Sequence, residues 1–458
     1  MIDVTRIRGF LLTLALAPVA ACSSVPSPGG ALDFLPGVGN DDAPEETAPE
    51  DGRVSILDFE QGLRIDDGAP LEAVQLPRAY VNPVWPQPGG YPSHAVQHTQ
   101  ADGDLDVLWR ASIGEGSSNS RRLNARPVMA DGRVFTVDAS GEVASFDAET
   151  GDEVWSTRLE GANDYDRMSF GGGLAFDDGR IYAHSGLNFF VALDANSGAE
   201  LWRSEILVPF HGAPTVSDGR VFVASDDNEM IAIEAATGQV LWTYQGIVES
   251  ARLITAPSPA VLGDVVVAPF ASGELVALRV QNGNPVWSDS LTSAGGLTAM
   301  SEINDVAGSP VIADGTVYAM SHSGTLVAIS LRTGERIWTQ PAGGLHAPWV
   351  AGDFMYVVTS EAQVVCLNRV TGQIHWIEQL DLFENPRNRE DRIAWSGPVL
   401  ASGRVFLTSS RGDGVLLNAY DGSLIREYDL RDDVYVAPVI ANETIYVVTD
   451  GARLIALR

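Results

Sequence analysis

The chain holds only two cysteines in 458 residues, Cys22 and Cys366. That excludes a disulfide framework, and no C-x-x-C-H stretch is present for covalent haem. Positive charge is also scarce: 29 Lys+Arg stand against 60 Asp+Glu, a formal net charge of −31. Such a surface repels the phosphates of nucleic acid and anionic lipid headgroups, so neither is expected as a partner. Disorder does not explain the charge, because 45% of residues are hydrophobic and only 19% charged. The histidines at 94, 98, 184, 211, 322, 346 and 375 are scattered, with no pair at metal-binding spacing. G-x-S-x-G, H-E-x-x-H and P-loop patterns are missing as well. These absences leave no candidate catalytic, cofactor or metal residue, and no cofactor is expected.

The first segment, "MIDVTRIRGFLLTLALAPVAAC", places Arg6 and Arg8 before an apolar run from Phe10 to Ala17. The run is too short for a permanent membrane helix and reads as an export signal over residues 1–21. Its end, Val19-Ala20-Ala21-Cys22, resembles the bacterial lipobox, which implies lipidation of Cys22; an ordinary signal with an incidental cysteine is the bland alternative. By the same resemblance, Ser23 in place of aspartate favours the outer membrane. Cys366 lies in an apolar strand pattern and reads as a small buried residue. Residues 22–103 contain "NDDAPEETAPEDG" and "VNPVWPQPGG" without sustained periodicity, so an acidic, mostly disordered tether is expected there, with "RVSILDFEQGLRI" as a short ordered patch.

From Asp104 onward one sentence recurs. "GEVASFDAETGDEVW" at 141–155 returns with changes at 189–202, 229–242, 274–287, 325–338 and 363–376. Alternating apolar runs are punctuated by Asp-Gly, Ser-Gly and Thr-Gly, a hairpin pattern that excludes helix. Trp109, Trp155, Trp202, Trp242, Trp287, Trp338 and Trp376 follow one another at intervals of 38 to 51 residues, one four-stranded propeller blade per interval. Each tryptophan is expected to pack its outer strand on a neighbouring blade, and each Asp or Asn of "DAETG", "DANSG" and "NRVTG" to cap its turn. Seven repeats lie between Arg126 and Leu430, the last degenerate because Arg426 stands where tryptophan would. The C-terminus supplies three further strands, and "DLDVLWR" (104–110) supplies a lone outer strand. An all-β, eight-bladed propeller over 104–458 is therefore expected, its last blade closed by the N-terminal strand. "RGD" at 411–413 reads as a turn signal, and "SFGGGLAF" at 169–176 as close packing of an inner strand.

The repeat "AxxxTGxxxW" resembles the pyrroloquinoline-quinone type of propeller repeat. Together with the lipobox and the compact blades it resembles the BamB family, lipoproteins of the machinery that assembles outer-membrane β-barrels. "RLITAPSPAVLGDVVVAPFASGELVAL" (252–278) and "SEINDVAGSPVIADGTVYAMSHSGTLVAISLRTGERIW" (301–338) sharpen that likeness. The resemblance implies a non-enzymatic scaffold, lipid-anchored on the periplasmic face of the outer membrane. Its implied partners are the BamA POTRA domains, other BAM subunits and unfolded outer-membrane clients. A quinone-dependent dehydrogenase is opposed by the lack of adjacent cysteines and of blade insertions; a propeller binding cell-wall polymer or another envelope complex is the remaining alternative. In the family the connections on either side of blade four form the BamA-binding surface, matching 246–255 and 291–308 here. The partner residues so implied are Arg252, Leu253, Ile254, Glu302, Ile303 and Asp305. Ala307 replaces the second of the family's paired aspartates, which shifts weight to Glu302.

Overall fold

The computed structural model describes residues 62–65, 73–160, 172–206, 208–249, 253, 255–292 and 303–458. The export segment and Cys22 lie outside the described residues, and the described residues fall within one compact unit, Glu60–Arg458. Every regular element among the described residues is a strand. The strands form eight four-stranded antiparallel sheets and one small hairpin, Phe383–Asn385 with Glu390–Arg392. In the first blade the strands are Val128–Ala130, Arg133–Val137, Glu142–Asp147 and Glu153–Arg158, from axis to rim. Successive innermost strands pack side by side around the axis. In this blade the two middle strands are buried on both faces, while the outermost alternates exposed and half-buried residues.

Closure follows the sequence expectation. Val107–Ser112 pairs antiparallel with Arg453–Leu457 and completes the eighth blade, so the ring is locked by joining the two ends of the domain. The turns are capped as expected. Asp147 Oδ1 accepts from the backbone N–H groups of Glu149 and Thr150, both at 2.9 Å, and these bonds hold its carboxyl below the ordinary carboxylate range. Asn368 makes the same cap on Val370 and Thr371. Gly173 is the close-packed inner residue implied by the glycine run: a Cβ there would meet Ala213 Cα and Pro214 Cδ at 2.7 Å. Cys366 is fully buried.

The tether expected over 22–103 ends earlier than its composition suggests. Residues 80–103 run once around the axis and touch every blade in turn. Asn82 O receives Asn442 N–H of blade eight; Trp85 bridges Met129 of blade one; Pro86 O receives Phe176 N–H of blade two. Gln87 Oε1 then receives Val216 N–H, Pro92 O Val261 N–H and Ser93 O Ile312 N–H, in blades three, four and five. Gln97 O accepts from Trp349 Nε1 of blade six, and Thr99 O from Ser402 N–H of blade seven. Trp85 stacks on Trp349 with centroids 6.0 Å apart, and Trp85, Val96 and Ala101 are buried. The physical reason for the difference is that one hydrogen bond per blade needs no strand periodicity. Proline-rich chain can satisfy it and remain irregular. This loop closes the axial channel at the end where each innermost strand makes its turn into the second.

Candidate partner-binding face

The opposite end of the ring carries the connections between blades. An antiparallel blade of four strands starts its innermost strand and ends its outermost on the same face, so successive connections are neighbours there. Of the residues expected to meet a partner, Arg252, Ile254 and Glu302 lie outside the described residues. Leu253, Ile303 and Asp305 are described. Leu253 N–H donates to Asp305 Oδ2 at 3.0 Å, which joins the connection before blade four to the connection after it. Asp305 is itself buried, and its carbonyl receives His322 N–H at 2.9 Å. Burial pushes the His322 imidazole below its ordinary pKa, partly offset by the Asp305 carboxylate. Val306 N–H donates to Phe270 O, fixing the second connection to blade four. Asp305 is therefore a strut between the two connections. Leu253 and Ile303 are half-buried beside it, and Ala307 is buried on the axial side.

Two residues that the sequence reading passed over stand out on this face. Ile247 and Val248 are 62% and 69% exposed, more than any other large hydrophobic side chain among the described residues. They are held out by their backbone: Ile247 N–H donates to Glu274 Oε2 at 2.7 Å, and Asn228 Nδ2 donates to Ile247 O at 2.7 Å. The signal was legible as two adjacent β-branched residues just after the outer strand ends at Gln245, where alternation would have supplied a polar residue. Across the ring the same face turns acidic. Burial, then the charges of Asp432, Asp450 and Glu384, raise the Asp433 carboxyl above its ordinary range. One side of the face thus offers an apolar patch, and the other carries the carboxylates around Asp433.

A family model described as "Outer membrane protein assembly factor BamB" matches residues 96–166, 139–378 and 385–458. The Salmonella typhimurium protein of that name is 33% identical over 341 residues, 73% of this chain and 84% of its own length. The Escherichia coli protein is likewise 33% identical, over 70% of this chain and 80% of its own. Among solved structures, BamB from Moraxella catarrhalis aligns with a TM-score of 0.64 and 19% identity over 76% of this chain and all of that one. The quinohemoprotein alcohol dehydrogenase of Comamonas testosteroni reaches the same TM-score at 14% identity, covering 83% of this chain and 81% of its own. At those identities the structural likenesses speak for the propeller fold alone.

Proposed function

The chain belongs to the BamB family of outer membrane protein assembly factors, and from that premise we propose that it is a non-enzymatic scaffold of the barrel-assembly machinery whose connection face docks on the POTRA domains of BamA. The observation that carries this reading is the Leu253–Asp305 hydrogen bond, which makes one surface of two connections beside the exposed Ile247 and Val248. An apolar patch flanked by a charged residue is the usual make-up of an interface core and its rim. Arg252, next to Leu253 in the chain, supplies the charge. Lipidation at Cys22 anchors the protein to the outer membrane from its periplasmic side. The described residues 73–103 belong to the propeller, with Val74 in its core. Outer strands present free edges to which an extended client could add.

The test is affinity between the purified full chain and purified POTRA domains. Arg252→Glu should weaken binding by about 2 kcal/mol or more without changing the melting temperature. Ile247→Ser with Val248→Ser should weaken it through lost apolar burial. Binding as tight as wild type in both variants would sink the proposal.

A further inference from the structure

The eight innermost strands offer an internal comparison at one position. In seven blades the residue two before the first cross-strand pair with the second strand's central aromatic or valine is small: Gly173, Ala213, Ser258, Ser309, Ala347, Gly397 and Ala437. In blade one it is Arg126. Small residues suit a place where eight strands converge on one axis. An arginine there puts a guanidinium into the channel.

Arg126 is half-buried in the channel wall, and desolvation pulls its pKa down to about 10. Its Nη1 donates to Pro88 O at 3.2 Å, from the loop that closes the channel; among the described residues that is its one protein acceptor, and no carboxylate pairs with it. Guanidinium carries five N–H donors, so most of the fork lacks a protein acceptor there. The neighbouring titratable groups are histidines. His94 Nδ1 meets Pro310 O at 2.6 Å and its Nε2 meets Ser258 Oγ at 3.3 Å; burial lowers its pKa to about 4 and that of His346 to about 3. Both are neutral near pH 7. Beside the guanidinium lies a cavity of about 140 Å³, lined by Arg126, Ser309, His346, Ser396 and Tyr435 among others and, among the described residues, by no acidic side chain. Tyr435, 47% exposed, stands at its mouth on the connection face.

The geometry points to this cavity as a binding site for a single carboxylate group, received from the connection face by the guanidinium of Arg126. A partly desolvated guanidinium with no carboxylate beside it among the described residues favours an anionic ligand, and its planar fork matches a carboxylate in two parallel hydrogen bonds. Charge decides against phosphate. One cation with two neutral histidines balances a monoanion, and a dianion would be left uncompensated and would meet more repulsion from the Asp433 and Asp450 carboxylates near Tyr435. The serine hydroxyls and Tyr435 add adaptable polar contacts around it. This site does not rest on the proposed BamA docking, since it needs only the ring and its loop.

A carboxylate can come from a free acid or from a peptide side chain, and two probes separate them: sodium acetate, and N-acetyl-glutamate amide with its single side-chain carboxylate. Each is titrated into the full chain at pH 7, with sodium chloride holding ionic strength constant, and followed by ligand-observed NMR and calorimetry. Saturable binding of at least one probe is expected. Preference for acetate assigns the site to free acids, and preference for the glutamate amide to peptide. Arg126→Gln should abolish binding. Should that variant fail to fold by circular dichroism, Arg126→Lys, which keeps the charge but loses the fork, should fold and weaken binding by about tenfold. No saturable binding by wild type, or undiminished binding in every folded variant, overturns the site.

Discussion

Seven of the eight junctions between blades are built alike, and the eighth is not. At each of the seven, a tryptophan on an outer strand donates its Nε1–H to a carbonyl of the next blade and lies against that blade's turn glycine. Trp109 reaches Ala148 O at 3.2 Å over Gly151, Trp242 reaches Val280 O at 2.9 Å over Gly283, and Trp376 reaches Ala419 O at 3.1 Å over Gly422. A Cβ on any of these seven glycines would sit 2.5 to 2.8 Å from the indole, and all seven adopt positive φ. Glycine is required twice over, by its backbone and by its neighbour. At the eighth junction Arg426 holds the tryptophan's register position, opposite Leu416 as Trp376 is opposite Cys366. The turn that would receive an indole is absent there, because the two ends of the domain meet in its place: Asp106 N–H donates to Arg458 O, and Arg458 N–H to Asp106 O, both at 2.9 Å. Arg426 instead bonds Asp104 O at 2.8 Å and the Asp106 carboxylate at 3.0 Å. The difference teaches that the tryptophan is kept by the neighbour it docks on. Blade seven is degenerate because of what blade eight lacks.

The comparison can be broken most severely at the closing strand. Deleting residues 104–112 removes the partner of Arg453–Leu457 and of Arg426 together, and should lower the calorimetric melting temperature by roughly 10 °C or more. Unchanged melting would refute the lock. An intermediate effect is expected at an ordinary junction. Trp376→Ala, removing a side chain only 6% exposed, should cost about 3–5 kcal/mol in denaturant unfolding. Gly422→Ala should cost about 1–3 kcal/mol through strained φ and the clash with the ring. The double variant should be more stable than the sum of the two, because removing the indole makes room for the methyl group; strict additivity would count against the glycine–indole contact. The smallest effect belongs to the odd junction. Arg426→Trp should give no gain in melting temperature, since no glycine turn waits to receive the ring, and Arg426→Ala should be neutral at high salt, where its exposed pair with Asp106 is screened. A stabilising Arg426→Trp would show that the outer strand alone sets the preference.

Much of this was legible in the sequence because a propeller blade is a local object. Period-two alternation and Asp-Gly or Thr-Gly turns define each sheet within about 40 residues of chain, so the blades and their caps at Asp147 and Asn368 could be read directly. The seven tryptophans could be assigned to junctions from spacing alone. Residues 80–103 could not be read, since their order comes from one bond to each of eight distant strands and leaves no period in "VNPVWPQPGGYPSHAVQHT". At the partner-binding face, chain order made the two connections neighbours. The strut between them did not follow from it, because the Leu253–Asp305 bond spans 52 residues and buries an aspartate that composition would place in water.

By itself, then, the sequence determined the all-β repeat, the number of blades and the closure by Val107–Ser112, since these follow from short-range alternation and from counting strands at the two ends. Only the tertiary structure decided that Arg426 replaces tryptophan because its neighbour has no turn, that an irregular loop seals one end of the axis, and that Arg126 stands among seven small residues around it. Those outcomes depend on which distant residues the ring brings to one point. That is fixed by closing the circle and is written in no local stretch of chain.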